Sequence, residues 1–322
     1  VAQRSRIITG DCLQVMRSFD ADSIDAIVTD PPYGLTFAGE EWDKLGTGQQ
    51  MQRWAAEWAA EALRVAKPGA YMLSFGGATK WHRAAAGIED GGWAIYDNLF
   101  WFYGQGKPKS IDVGKELDRL AGADREVLGY IVKGKRPGFN GGRYTRQPKG
   151  AVPVTGAPVT RAAQEWDGWG TALKPAYEGI VLARKPVQFR IADNLQRYGT
   201  GAINVQAARG DTGRWPTNVL IDEQVAQQLG PLARYFYCVK ASARERHSDH
   251  AGEAIEGNAH VTVKPLALMR WCVRLVAPAR GVILDPFGGS GSTGVAAKQE
   301  GRTCILIEQE AASATTAKAR ML

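Results

Sequence analysis

A glycine-rich turn close to the end of the chain sets the tightest limit on how this sequence can fold. Asp285-Pro286-Phe287-Gly288-Gly289-Ser290-Gly291-Ser292-Thr293-Gly294 follows the apolar run Gly281–Leu284, which reads as a strand, and opens a helical pattern over Ser292–Glu300. Gly289, Gly291 and Gly294 have the GxGxxG spacing, in which the missing side chains allow a tight turn and bring backbone N–H groups close to a ligand at a helix N-terminus. Alone the match is weak, since a close-packed strand-to-helix turn uses the same residues. No Gly-Lys-Ser/Thr follows, which excludes a phosphate-cradling P-loop. Glu308 ends the next strand-like run, Thr303–Ile307, where nucleoside-binding folds set a carboxylate against two ribose hydroxyls; its ordinary alternative is a surface glutamate. Only 28 residues follow Gly294. A dinucleotide fold beginning at this turn has no room to continue, so the N-terminal half of the chain is expected to complete the sheet in a circularly permuted order.

The N-terminal half offers a matching loop. Ile24–Thr29 is a short β-branched run that stops at Asp30-Pro31-Pro32-Tyr33-Gly34, where two successive prolines end any strand ladder. Met51, Trp54, Trp58, Ala62 and Val65 recur at three- and four-residue steps across Gln49–Ala66 and predict an amphipathic helix closed by Lys67-Pro68-Gly69. Strands are expected at Ala70–Phe75, Ala94–Tyr103 and Gly179–Ala183, and helices at Leu266–Val276 and Ala311–Met321. This alternation predicts an α/β fold with a mostly parallel twisted sheet and helices on both faces. With 322 residues, 44% hydrophobic and 23% charged, the chain allows one large domain with an insertion, or two domains.

A carboxylate and a backbone carbonyl beside a nucleoside-type cofactor suit one kind of chemistry. The exocyclic amine of a nucleobase is a poor nucleophile because its lone pair is delocalised into the ring. Asp30 accepting one N–H and the Pro31 carbonyl the other would favour a pyramidal nitrogen, with Pro32 restricting the loop. Tyr33 offers an aromatic face to a base flipped out of a duplex. A simple turn is the bland alternative for these four residues.

These motifs together make the chain resemble a DNA amino-methyltransferase of the β class, over nearly its whole length. The similarity is carried by Gly10-Asp11-Cys12-Leu13, Asp30 to Tyr33, His260 to Pro265, Asp285 to Gly294, and Ile305-Leu306-Ile307-Glu308. Phe100-Trp101-Phe102-Tyr103, Lys107-Pro108-Lys109-Ser110 and Leu173-Lys174-Pro175-Ala176 are similar to the adenine-specific group common in phages and prophages. The resemblance implies a Rossmann-like methyltransferase fold and S-adenosyl-L-methionine as cofactor. Its activity would be methyl transfer to adenine N6 in double-stranded DNA, with no covalent enzyme intermediate and no metal. Catalysis would fall to Asp30, Pro31, Pro32 and Tyr33. Asp285, Phe287, Gly288, Gly289, Ser290 and Gly291 would line the cofactor and Glu308 would bind its ribose. Asp11 and Cys12 would sit by its adenine, and His260, Lys264 and Pro265 near its carboxylate. Val261 and Ala312–Thr315 depart from the family pattern, where proline and an aromatic are common.

The resemblance also divides the chain: a catalytic half over 1–103, a DNA-recognition region with returning core elements over 104–257, and the cofactor-binding half over 258–322. The chain's formal charge of +7 lies in the middle part, since residues 104–164 hold 12 Lys or Arg against 5 Asp or Glu. A solvated loop would explain such a run as simply as phosphate contact does; within this family it falls where DNA is held. Asn140, Arg143, Arg146 and Lys149 are the candidate DNA contacts. Leu35–Lys44, with Trp42, is a candidate lid over the flipped base. A homodimer is expected from the resemblance alone.

The cysteines at 12, 238, 272 and 304 form no CxxC pair, and His247 and His250 lack a third ligand, so a reduced cytoplasmic chain, bacterial or phage-encoded, without a zinc site is expected. No apolar run has the length of a membrane span, and the first residues lack the apolar core of a signal peptide. Cytosine N4 is the nearest rival acceptor, although aspartate at position 30 favours adenine by resemblance. An NAD-linked oxidoreductase and a non-catalytic DNA-binding protein are the remote alternatives.

Overall fold

The computed structural model describes residues 4–35, 43–104, 106, 110–132, 151–209, 213–239 and 263–321. In chain order the elements are β1 (Arg6–Thr9), α1 (Cys12–Arg17), β2 (Ile24–Thr29), α2 (Gly48–Val65), β3 (Ala66–Gly76), α3 (Trp81–Asp90) and β4 (Ala94–Phe102). Next come α4 (Val113–Leu120), β5 (Val127–Val132), β6 (Ala151–Thr155), α5 (Arg161–Glu165), β7 (Tyr177–Arg184), α6 (Ile191–Tyr198) and α7 (Val205–Ala208). The chain continues with β8 (Val219–Asp222), α8 (Glu223–Leu229), a 3₁₀ turn (Gly230–Tyr235), β9 (Tyr237–Val239), α9 (Leu266–Val276), β10 (Val282–Asp285), α10 (Ser292–Gln299), β11 (Thr303–Glu308) and α11 (Ala311–Met321). Two units result: Val1–Gly104 with Ala176–Leu322, and Gln105–Pro175.

The larger unit carries a nine-stranded sheet ordered β1-β11-β10-β2-β3-β7-β4-β8-β9. All its pairings are parallel except those of β7, which runs antiparallel to both β3 and β4. Strand β2, from the start of the chain, lies beside β10, from its end, with Ala26 opposite Ile283 and Ile27 opposite Leu284. The chain leaves β2 towards β3 on one side and β10 towards β11 on the other. Their boundary is therefore a topological switch point, where open α/β sheets bind ligands beyond the strands' carboxyl ends. This is the permuted Rossmann-like arrangement expected from the sequence.

Burial explains why these segments become strands and helices. All six residues of β2 are buried, as a central strand covered on both faces requires. One face packs Ala26, Val28, Leu73 and Phe75 against Leu268, Trp271, Cys272, Val295, Ala317 and Met321. The other packs Ile27, Met72 and Leu284 against Met16, Trp58, Ala62, Val65 and Ile88. Complete burial of each large apolar side chain stabilises by about 1.5–3 kcal/mol. Helix α2 starts in a capping box between Thr47 and Gln50 and buries Met51, Ala55, Trp58, Ala59, Ala62 and Val65 along one stripe. It runs straight into β3 at Ala66, because Pro68 disfavours helical backbone at the residue before it. Helix α3 packs against α2 so closely that a methyl at Gly87 would lie 2.5 Å from the Gln52 carbonyl oxygen. Among the described residues no helix is long and apolar enough to cross a membrane.

The smaller unit pairs β5 with β6 antiparallel and joins α4 to α5 through one carboxylate. Asp118, 1% exposed, accepts hydrogen bonds from Arg125 Nε (2.6 Å), Val159 N (3.2 Å), Thr160 N (2.9 Å) and Thr160 Oγ1 (2.8 Å). Burial alone would raise its pKa, but the bonds from Thr160, Arg125 and Val159 outweigh that and hold it well below the usual carboxylate range. A depressed folded pKa contributes stability that is present above the unfolded value, about 3.9, and is lost as pH falls through the folded one. Asp118→Asn should therefore make this unit more open to proteolysis at neutral pH, with the difference from wild type closing in strong acid. A difference that does not depend on pH would contradict this account.

Candidate active site

The two loops read from the sequence meet at the switch point. Thr29, the last residue of β2, donates from Oγ1 to Asp285 Oδ1 at the end of β10 (2.7 Å), and Thr293 of α10 donates to Asp285 Oδ2 (2.6 Å). The Phe287 N–H also reaches Asp285 Oδ1 (3.1 Å). Burial pushes the Asp285 carboxyl up to about 6, with these hydrogen bonds opposing the rise and the nearby Asp30 charge adding to it. For a carboxyl with a raised folded pKa, the charged form is the one folding disfavours. Its contribution to stability therefore declines as pH rises from about 4 to about 6 and is flat above that. Asp285→Asn should remove that decline, read as the difference between the two proteins' thermal unfolding at pH 4 to 8. Parallel curves would show that Asp285 does not titrate in this range.

The glycine turn is held from three sides. Gly288 N–H donates to the Ile307 carbonyl (2.8 Å) and Gly289 N–H to Glu308 Oε2 (2.7 Å). Arg320 of α11, fully buried, donates to the Ser290 carbonyl (2.8 Å), Ser290 Oγ (3.0 Å) and Ser292 Oγ (3.3 Å). Phe287 projects against α2, its ring centroid 5.4 Å from both Trp54 and Trp58. Glu308 also accepts the Glu310 N–H at Oε1 (2.8 Å), which fixes its carboxylate at the end of β11 while leaving a lone pair on each oxygen. Gly10 N–H donates to the Glu308 carbonyl (3.0 Å), which brings Asp11 and Cys12 alongside. Asp11 Oδ1 caps α1 through the Gln14 N–H (3.0 Å), and burial, then the Asp11 charge, push the Cys12 thiol up to about 12.

Asp30 and Tyr33 stand beyond β2, with Pro31 buried between them and Pro32 partly so. Asp30 Oδ1 accepts from the Tyr33 hydroxyl (2.6 Å) and Oδ2 from the Lys264 ammonium (2.5 Å). Lys264 is 8% exposed and also lies 3.4 Å from Glu178 Oε2, with its nitrogen 5.4 Å and 5.2 Å from the ring centroids of Tyr33 and Phe75. Burial opposes its charge, but Asp30 and Glu178 raise its pKa above the ordinary lysine value. Burial likewise drives the Tyr33 pKa far up, and the two carboxylates add to it, so this phenol stays protonated. The Tyr33 ring lies so close to Gly77 that a methyl there would meet Cδ2 at 2.8 Å. Asp43 accepts from the Gly34 and Leu35 N–H groups (2.7 and 2.9 Å).

The structure thus brings together Asp30, Tyr33 and Lys264, and separately Asp285, Phe287, Gly288, Gly289, Ser290, Gly291 and Glu308, with Asp11 and Cys12 beside the last. Pro265 is the N-cap residue of α9 and follows Lys264 directly. The resemblance implies a place for Lys264 near the cofactor carboxylate; in the structure its ammonium donates to Asp30 Oδ2. Cys272 is fully buried in the core. His260, Asn140, Arg143, Arg146, Lys149, Trp42, His247 and His250 lie outside the described residues, as does the 36–42 part of the candidate lid.

Glu178 was missed. It starts an antiparallel strand, so it emerges at the same sheet edge as the ends of the parallel strands, next to Asp30. A carboxylate placed between Tyr177 and the apolar run Ile180–Ala183 was the only available signal.

Residues 24–319 match the sequence model of the N6/N4 methyltransferase family, described as DNA methylase. The type II methyltransferase M.HindIII of Haemophilus influenzae is 25% identical over 342 aligned positions, covering 94% of this chain and 90% of that protein. Among solved structures, the PvuII DNA methyltransferase, titled cytosine-N4-specific, shares the fold with a TM-score of 0.58 at 16% identity, over 100% of this chain and 88% of its own. TTHA0409 of Thermus thermophilus, solved in complex with S-adenosyl-L-methionine, has a TM-score of 0.51 at 19% identity, over 98% and 94% of the two chains.

Proposed function

The chain belongs to the DNA methylase family whose sequence model it matches, and from that premise we propose that it methylates the N6 amine of adenine in double-stranded DNA, using S-adenosyl-L-methionine. The observation that carries this reading is the Thr29–Asp285 hydrogen bond, which fastens the end of the Asp30 strand to the start of the glycine turn. An acceptor for the amine and a nucleoside-binding loop are thereby held at one switch point.

The residues fit the cofactor. Glu308 keeps lone pairs for the ribose hydroxyls on a carboxylate already fixed by two backbone N–H groups. Gly288 lets the turn lie directly on β11, where a methyl would stand 3.0 Å from Leu306 Cβ. S-Adenosyl-L-methionine supplies a methyl group on a positively charged sulfur. The chain's task is to bind the amine with its lone pair exposed. Asp30 accepts one N–H, the Pro31 carbonyl accepts the other, and Tyr33 gives the flipped base an aromatic face. The preference for adenine rests on the aspartate at position 30.

DNA recognition is assigned to 104–257, where Asn140, Arg143, Arg146 and Lys149 would contact DNA, and the rest of the chain to the catalytic and cofactor-binding halves. Expression in a bacterial host free of DNA methylation, followed by sequencing that reports modified bases, tests the reading. N6-methyladenine at one short motif is expected. N4-methylcytosine would overturn the choice of base, and unmodified DNA would overturn the activity itself.

A further inference from the structure

Asp30 has both its oxygens engaged before any substrate arrives. Tyr33 holds Oδ1, and Lys264 holds Oδ2 at 2.5 Å while offsetting the negative charge that the amine needs. Glu178 reaches the same two donors, 3.2 Å from the Tyr33 hydroxyl and 3.4 Å from the Lys264 ammonium. The side chains of Lys264, Asp30 and Glu178 are 9%, 19% and 20% exposed. One carboxylate suffices to neutralise a buried ammonium, and a second one, its side chain only 20% exposed, adds a desolvation cost.

We propose that Glu178 is a positioning residue that draws Lys264 and Tyr33 off Asp30 as the target base enters, freeing the Asp30 carboxylate for the amine. This rests on the methyl-transfer reading above. Closing the Lys264–Glu178 gap to a charge-assisted hydrogen bond takes a movement of less than about 1 Å, which a four-carbon side chain makes at little cost. The cluster then presents a free carboxylate, and its net charge of one negative suits a nitrogen that becomes positive as it is methylated. Without Glu178, Lys264 has only Asp30 to pair with, and the acceptor's charge stays neutralised, although each oxygen keeps a second lone pair. Sequence patterns do not reveal this, because Asp30, Glu178 and Lys264 are far apart along the chain.

The test compares wild type, Glu178→Gln and the double variant Glu178→Gln with Lys264→Gln. Methyl transfer is measured from labelled S-adenosyl-L-methionine to unmethylated genomic DNA, with cofactor binding by calorimetry and folding by thermal unfolding. Glu178→Gln should lower kcat by about 10- to 100-fold, the loss expected when a hydrogen bond to a charged group is weakened, with cofactor affinity unchanged. Adding Lys264→Gln should recover most of that loss, since it releases Asp30 by removing the cation. A purely structural Glu178 would weaken folding and cofactor binding, and the second substitution would make matters worse. If the glutamine variant does not fold, Glu178→Asp replaces it: the charge remains but the reach is shortened, and the same loss and recovery are expected. An unchanged kcat, or a double variant no better than the single one, overturns the proposal. Wild-type protein that transfers no methyl to DNA would instead remove its premise, and that control separates the two failures.

Discussion

Asp30→Asn should reduce methyl transfer to DNA by on the order of 10²–10⁴-fold, the usual contribution of a positioned acid–base group, while leaving cofactor affinity close to wild type. The substitution keeps the shape and removes the charge. An asparagine can still accept one hydrogen bond through its oxygen, but its amide nitrogen would face a donor, either the substrate amine or Lys264. The contacts of Asp30 run to Tyr33 and Lys264, whereas the glycine turn is held by Glu308, Arg320 and Asp285, so the cofactor loop loses no direct partner. Lys264 keeps Glu178 as a counter-charge, which limits the cost of leaving a buried ammonium behind. The measurement is kcat on unmethylated DNA beside calorimetric cofactor binding. A variant that retains more than about a tenth of wild-type kcat would sink Asp30 as the amine's acceptor.

Much of this site was legible in the sequence because its signals are local. The prolines after Asp30 end β2, and the glycines after Asp285 permit the turn into α10. Only a neighbouring β2 and β10 could unite the two in one sheet. Strand β2 and helix α9 occupy the predicted ranges, Ile24–Thr29 and Leu266–Val276. The missed elements are those whose stability comes from contact rather than pattern. Strand β1 has only four residues and exists by pairing with β11, and α1 has six, too few for a helical period to show. Helix α3 is alanine-rich, with Gly87 at its closest approach to α2. Glu178 and the pairing of Lys264 with Asp30 depend on strand direction and on contacts between residues distant along the chain, which no local periodicity encodes.

Gly291→Ala should cost about 2–5 kcal/mol of stability, from a left-handed backbone that L residues avoid and from overpacking, and should weaken cofactor binding by more than tenfold. Gly291 has φ +84° and is the N-cap residue of α10. Its N–H closes the turn on the Gly288 carbonyl at 2.8 Å, and its carbonyl accepts the Val295 N–H at 3.0 Å. A methyl there would lie 2.9 Å from Ala317 Cβ and 3.0 Å from Ala317 Cα, so relief requires moving the α11 backbone rather than a side chain. That helix also carries Arg320, whose guanidinium grips Ser290 and Ser292 from within the core. Displacing α11 therefore pulls on the residues that shape the turn, while Gly289 remains tied to Glu308 on the opposite side. The two contributions can be separated. Ala317→Gly in the Gly291→Ala background removes the 2.9 Å contact with Cβ but neither the 3.0 Å contact with Cα nor the strained φ, so it should return part of the lost melting temperature and part of the lost cofactor affinity. If Gly291→Ala unfolds and binds cofactor like wild type, the turn is not held by α11 in the way its contacts indicate.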